Sequence, residues 1–301
     1  MKFTRLQKVF AAVAYADVFD FPLTRDEIRL WAVGGIDRVP SSLTGLDISK
    51  KAGIEYVCLP KRKSLVHIRQ LRQKSAVFKW RRIHAASRLF RIIPTLLLVG
   101  VTGGLAVENA KEGDDIDLFF VSRKNTLWLT RSLVTFVAEI LGMRRRPGDR
   151  RVKNKICLNM FMAEDALSLP RNERDFFAAH EVLQMVPLWE REGVYQRFLS
   201  ANRWVKHFFP NAWHDKIRGM VRSDKKSRIN VLTWLQGAIA LLEPVASFVQ
   251  RVYMRKRRTS EVIEYGMIRF HPNDARKWVR EKYALRLQQS DIPLDKIFYH
   301  R

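Results

Sequence analysis

The chain has 301 residues, room for two or three modest domains, and its 47% hydrophobic and 11% aromatic content excludes a disordered polymer. Its 55 lysines and arginines against 30 acids leave a formal charge of +25, which points to a polyanionic partner: nucleic acid first, an anionic membrane surface second, with plain solubility as the alternative. The two cysteines, Cys58 and Cys157, exclude a disulfide framework and, by themselves, a zinc site; each lies in an apolar run and reads as a buried free thiol of a reducing cytosol.

The first residues are basic and partly apolar, but Asp17 and Asp20 interrupt any signal-peptide core, so a cytoplasmic protein is expected. Leu6, Val9, Phe10, Val13 and Val18 have helical spacing and predict a helix over Leu6 to Phe19. Phe21-Pro22-Leu23 breaks it, and Thr24 with Glu27 forms a capping box for a second helix through Trp31, stopped by Gly34-Gly35. A helical piece over Ser42 to Lys51 and a strand over Gly53 to Leu59 complete a segment, 1–60, that looks like a winged helix. Such a unit reads DNA or serves as a packing module, and SSLTGLDISKK has few side chains suited to base edges.

A long helix is expected from Lys61 to Arg91, ending before Pro94, with Ile68, Leu71 and Phe78 as its buried stripe. Its cations include Arg62, Arg69, Arg72, Lys74, Lys79, Arg81, Arg82 and Arg88, with no acid in the helix; this is a solvated face or a phosphate-tracking surface.

An apolar run, Thr95 to Val101, then ends in Thr102-Gly103-Gly104, and a polar segment leads to Asp115-Ile116-Asp117 and a second apolar run. Paired glycines after a strand let the backbone approach a ligand and offer N–H groups to an anion. Residues i and i+2 of a strand share a face, so Asp115 and Asp117 project together. Two such carboxylates repel unless a cation lies between them, and a hard divalent ion such as Mg²⁺ suits oxygen ligands. The combination is equipment for holding a nucleoside triphosphate by its phosphates; the alternative is a glycine turn in an unrelated α/β domain whose aspartates cap a strand.

Asn125 or Thr126 caps a helix with Leu129, Leu133, Phe136, Val137 and Ile140 as apolar positions, ended by Gly142. The basic run MRRRPGDRRVKNK precedes a strand, Ile156 to Met162, in which Cys157, Asn159 and Phe161 are expected on one face. From Glu164 to Arg301 the pattern reads as mostly helical. His180 lies in a Phe- and Leu-rich helix, Asp175 to Met185, and reads as a packed histidine; the aromatics of RFLSANRWVKHFFPNAW read as core. Ile229 to Tyr253 is the most apolar C-terminal stretch and ends in Arg255-Lys256-Arg257-Arg258. Gln236, Glu243 and Pro244 interrupt it, so two buried helices meeting at Pro244 are expected rather than a membrane span, with a helix lying on an anionic membrane as the alternative. Pro272 and Asp274 open a closing amphipathic helix.

Over Leu96 to Met162 the chain resembles the DNA polymerase β-like nucleotidyltransferase superfamily, in which a strand ends in Gly-Gly or Gly-Ser and an Asp-x-Asp between apolar residues follows roughly ten residues later. Gly103, Gly104, Asp115 and Asp117 fall on those positions, with Asp114 an extra acid. The resemblance implies an α+β fold: a nucleotidyltransferase core with a mixed sheet over 95–165, preceded by the winged-helix-like unit (1–60) and a basic connecting helix (61–94), and followed by a helical region (166–301). It implies transfer of a nucleotidyl group from a nucleoside triphosphate to an acceptor, with Gly103 and Gly104 cradling the triphosphate and Asp115 and Asp117 holding Mg²⁺ or Mn²⁺. The superfamily's third carboxylate is matched by Asn159, a departure that leaves open a second reading, a catalytically weakened nucleotide- or nucleic-acid-binding protein. The acceptor, the base and the oligomeric state are not legible in the sequence.

Overall fold

The computed structural model describes residues 3–221, 240–255, 261–270, 275–288, 290 and 292–298. The predicted Ile229 to Tyr253 stretch and its basic tail lie only partly within these residues, and Pro272 and Asp274 lie outside them.

The fold is mixed α+β, built on a six-stranded sheet. One of its interior strands is β3 (Leu96–Val101), every residue of which is buried, flanked by β4 (Ile116–Ser122) and the edge strand β6 (Val186–Glu190), both antiparallel to it. Beyond β4 lie β5 (Ile156–Ala163), parallel to β4, then β8 (Met267–Phe270) and β7 (Glu261–Glu264), each antiparallel to its neighbour. The region expected to be mostly helical therefore supplies both edges of the sheet as well as helices. Val-Pro-Leu-Trp-Glu and the two short C-terminal strands have too few residues for a period-2 pattern to register, and pairing decides them.

Strand alternation sends side chains to two apolar layers. Ile116, Leu118 and Phe120 face one layer, closed by α3 (Leu65–Phe90) and α5 (Leu127–Ile140). Phe119 and Val121 face the other, closed by α1 (Arg5–Asp17), α2 (Arg25–Trp31), α6 (Phe176–Gln184), the helices between Val194 and Val221, and the final helix pair, Ala275–Leu287 and Leu294–Phe298. The N-terminal segment thus shares a core with the C-terminal helices. Tyr283 donates to the Ala11 carbonyl at 3.1 Å, Arg286 pairs with buried Asp17, and His180 stacks on Tyr15 with ring centroids 4.0 Å apart.

Both N-terminal helices begin as expected, α2 with the Thr24–Glu27 capping box. The Ser42 to Lys51 expectation is corrected: Asp47–Lys51 is a strand, β1, hairpinned to β2 (Ile54–Cys58) through Ala52-Gly53. Both turn residues have positive φ, 51° and 78°, the primed-turn geometry whose twist matches paired strands. This hairpin signal outweighs the short helical pattern before it.

The buried stripe of α3 is also corrected. Leu71 and Phe78 are more than half exposed, while Leu65, Arg69, Arg72, Ala76, Lys79, Ile83, Ala86 and Phe90 face inward. Their spacing alternates four and three, a regular helical seam. Three of these positions are cationic, and each has acceptors waiting. Arg69 forks onto Glu27 with two 2.7 Å bonds and lies 4.1 Å over the Phe21 ring; Arg72 donates to the Phe19 carbonyl and Asn109. Lys79 donates to the carbonyls of Glu112 (3.2 Å) and Asp114 (2.5 Å) and to Asn154 Oδ1 (2.9 Å). Lys61, Lys63, Lys74, Arg81, Arg82, Arg88 and Arg91 remain on the solvent side.

Thr126 occupies the N-cap of α5, but its hydroxyl donates to the Arg123 carbonyl at 2.9 Å and does not cap the helix; Glu243 caps it from afar, its two oxygens taking the Trp128 and Leu129 N–H groups at 2.8 Å each. Glu243 opens α10 (Glu243–Arg255), which packs on α5 but leaves Val245, Phe248, Val249, Val252 and Tyr253 exposed, so this helix is not buried as expected. Phe136 and Ile140 of α5 are exposed too. No helix among the described residues is long and apolar enough to cross a membrane.

The buried lysine ties three loop acceptors to α3. Lys79→Met leaves them without a donor and is expected to cost about 3 kcal/mol of unfolding free energy, whereas solvent-side Lys74→Ala should change it by less than about 0.5 kcal/mol. Urea titrations of the two variants measure the difference; equal effects would show that the Lys79 contacts add nothing.

Candidate functional site

The antiparallel pairing of β3 with β4 brings the end of one strand beside the start of the other. The Thr102 N–H donates to the Asp117 carbonyl at 3.0 Å, which places the glycine turn against the second aspartate. Gly103 sits at φ +63°, and a Cβ there would meet Asp117 Oδ2 at 2.7 Å. The carboxylate therefore rests directly on the glycine backbone, which no other residue permits without a shift. Gly104 is less tightly placed: its Cβ would stand 3.4 Å from the Asn109 carbonyl.

The loop that delivers Asp115 is held at several points. Asp114 does not join the pair; its Oδ2 accepts from the Lys111 N–H at 2.8 Å and its carbonyl from Lys79 and the Asn154 N–H. Lys79 and Asn154 thereby tie this loop to the start of β5, where the Ile116 N–H meets the Lys155 carbonyl at 2.8 Å.

Asp115 and Asp117 converge as their i, i+2 spacing predicts, and the third member of the cluster is Cys157. One ligand atom from each lies within 4.8 Å of the others. In the parallel register Asp117 stands opposite Cys157 and Leu118 opposite Leu158, but Phe119 stands opposite Met160. Asn159 is the extra residue of a bulge. Cys157, Asn159 and Phe161 consequently do not share a face: Phe161 belongs to the layer on the far side from Phe119, whereas Cys157 is paired with Asp117. The residue beside the aspartates is the thiol, half-buried rather than sealed in the core, and Asn159 is the buried residue of the bulge.

Two further residues complete the site. Arg145 Nη1 donates to Asp115 Oδ2 at 2.5 Å and lies 3.9 Å from the Cys157 sulfur. Glu181, on α6, places a carboxyl within electrostatic reach of Asp117. Its neighbour His180 is packed among Tyr15, Trp31, Phe176 and Phe209 and takes no part.

The charges follow from this crowding. Burial, then the neighbouring Asp115, pushes the Asp117 carboxyl up to about 7, although the Cys157 S–H and Arg145 favour its charged form. Burial, then Asp117, likewise lifts Glu181 to about 7. Burial and the two aspartates raise the Cys157 thiol, which stays protonated and donates to Asp117. Burial works against the Arg145 charge, but Asp115 outweighs it and holds the guanidinium protonated. The donor set of two carboxylates and a sulfur fits a divalent cation bound mainly through oxygen, and the protonated thiol adds no negative charge to it.

Sequence reasoning named the glycines and aspartates but not Cys157, Arg145 or Glu181. Cys157 was within reach, one strand step from Asn159; the bulge that decides between them leaves no mark in the sequence. Glu181 has no local signal, being brought in by a helix from another part of the chain.

No family model matches the chain, and no curated protein matches it. A solved structure described as the crystal structure of the toxin-antitoxin with AMP-PNP is similar over 45% of this chain and 94% of that one, at 15% identity and a TM-score of 0.25. At that level of likeness the site has to be read from its own residues.

Gly103→Ala forces a side chain into the left-handed region and against Asp117. It should destabilise the protein by about 1–2 kcal/mol, with Gly104→Ala milder, as thermal unfolding of both would show. The Glu181 carboxyl, with its folded value raised, binds its proton more tightly in the native state than in the unfolded one. Its contribution is thus fully present below the unfolded value, near 4, and is lost as pH rises to about 7. Glu181→Gln, which cannot ionise, is therefore expected to melt higher than wild type at pH 8 in chelator and level with it at pH 4. A gap that is the same at both pH values would remove Glu181 from the charge cluster.

Proposed function

We propose that the protein is a metal-dependent nucleotidyltransferase that moves a nucleotidyl group from a nucleoside triphosphate to an acceptor. The single observation that carries this reading is the packing of Asp117 directly on Gly103, with Asp115 converging on the same point. It joins the metal-ready pair and the phosphate-ready turn into one site. Asp115 and Asp117 would hold the ion, Mg²⁺ or Mn²⁺, which when bound supplies the positive charge that stabilises the transferring phosphate. Gly103 and Gly104 would offer backbone N–H groups to the triphosphate beside the ion. Glu181, its carboxyl raised to about 7 and within electrostatic reach of Asp117, is a candidate to take a proton from an acceptor hydroxyl at neutral pH. That would meet the need for a further acid without a carboxylate on β5.

A second reading is favoured by the solvent side of α3, where Lys74, Arg81, Arg82 and Arg88 are exposed together with Leu71 and Phe78. Cations interleaved with bare apolar side chains suit a single-stranded nucleic acid. On this reading the protein binds RNA or DNA and has kept the nucleotidyltransferase-like centre in a weakened form. Incubation with α-labelled triphosphates and Mn²⁺, with and without total RNA, separates the two: label transfer supports the enzyme, and RNA binding without transfer supports the binder.

Triphosphate binding should require a divalent ion and fall at least tenfold in Asp115→Ala and in Asp117→Ala, the scale of one lost charge-assisted contact. Calorimetry decides this. Equal affinity in chelator, or in both variants, would remove the metal-site reading.

A further inference from the structure

The segment between α5 and β5 carries three consecutive arginines, and the fold treats them differently. Arg144 pairs with Glu139 at 2.7 Å, and Arg146 pairs with the same carboxylate at 2.9 Å. Arg145, between them, turns to the opposite side and takes Asp115. Its backbone is fixed against the start of β5: the Arg145 N–H donates to the Ile156 carbonyl at 2.9 Å, the Ile156 N–H to the Met143 carbonyl at 2.5 Å, and Arg144 forms a parallel bridge to Ile156. The guanidinium therefore swings from a rigid base, one residue from Cys157. Its side chain is 37% exposed, against 14% for Asp115, so it lies over the carboxylate from the solvent side.

We propose that Arg145 is a built-in competitor for the metal position and a phosphate-positioning residue, coupling divalent-ion binding to polyphosphate binding. The proposal rests on the metal-site reading above. The guanidinium and a divalent ion compete for the charge of Asp115, so in the free protein Arg145 neutralises part of the charge that would attract the ion. Once released, the guanidinium stands beside the aspartate pair and needs a new anionic partner. Its planar fork matches the oxygens of a phosphate better than any other common ligand. A polyphosphate that takes Arg145 leaves Asp115 free, and an occupied Asp115 leaves Arg145 free for phosphate. By linkage, each ligand strengthens the other by the same factor. The arrangement also neutralises a carboxylate that would otherwise repel the incoming triphosphate.

The test is calorimetry on the full chain, with Arg145→Gln and Arg145→Lys beside wild type and thermal unfolding to confirm that all three fold alike. Titrated with Mn²⁺ alone, Arg145→Gln should bind about tenfold more tightly than wild type, the worth of one charge-assisted hydrogen bond, while Arg145→Lys stays near wild type. With Mn²⁺ saturating, ATP should bind Arg145→Gln more weakly than wild type, with Arg145→Lys between them. Equal Mn²⁺ affinity in wild type and Arg145→Gln would overturn the competitor role while leaving the metal site standing. Unchanged ATP affinity would overturn the phosphate role. If neither protein binds Mn²⁺, or Asp117→Asn binds it as well as wild type does, both this proposal and the metal-site reading fall.

Discussion

Two carboxylates and a thiol share less than 5 Å of half-buried space where β3 ends and β4 begins, with a third carboxyl close behind them. Like charges in low dielectric do not tolerate this unless protons, cations or hydrogen-bond donors compensate them. The surroundings supply each of these: the Cys157 S–H, the Arg145 guanidinium, and protons that Asp117 and Glu181 retain near neutrality. A sheet that merely needed to pack would have a residue such as valine at 117, as it has apolar residues on either side. The strand instead carries an aspartate inside an otherwise apolar run, and the glycine beside it makes room for the carboxylate.

The rest of the molecule reads as support for that point. Lys79 reaches through the apolar layer beneath the sheet to hold the loop that delivers Asp115 and Asn154, two residues before β5. Arg72 and Asn109 tie the same loop to the Phe19 carbonyl in the N-terminal segment. The N-terminal helices and the last helices close one common core on the face that bears Asp117. Position at the site is therefore set from several separate stretches of chain, and a substitution in any of them reaches the aspartates through hydrogen bonds rather than through contact.

The large positive charge acquires a more specific meaning in this light. Arg62, Arg69, Arg72, Lys79, Arg145, Arg269 and Arg286 have internal work with carboxylates or carbonyls. Among the described residues, the outer side of α3 carries one run of exposed cations, Lys74, Arg81, Arg82 and Arg88. Fully buried cations held by their own acceptors, such as Arg69 and Lys79, cannot track a phosphate backbone.

Much of the site was legible locally. A capping box, a glycine pair after an apolar run and two aspartates at i, i+2 depend on neighbours a few residues away, so Thr24 with Glu27, Gly103 beside Asp117, and the converging Asp115 and Asp117 all lie where their spacing puts them. The mixed α+β class, implied by the resemblance that the glycines and aspartates carry, is also what the fold shows. Tertiary structure decided whatever depended on distant partners. A lysine or arginine counts as a surface residue until an acceptor from elsewhere meets it, so the seam of α3 was assigned to Leu71 and Phe78 when it belongs to Arg69, Arg72 and Lys79. A strand's alternation holds only until pairing inserts a bulge, and that one residue gives the place beside Asp117 to Cys157 instead of Asn159. Glu181 and Arg145 are near the aspartates because a helix and a loop from other parts of the chain are brought there by the fold, which no local pattern encodes.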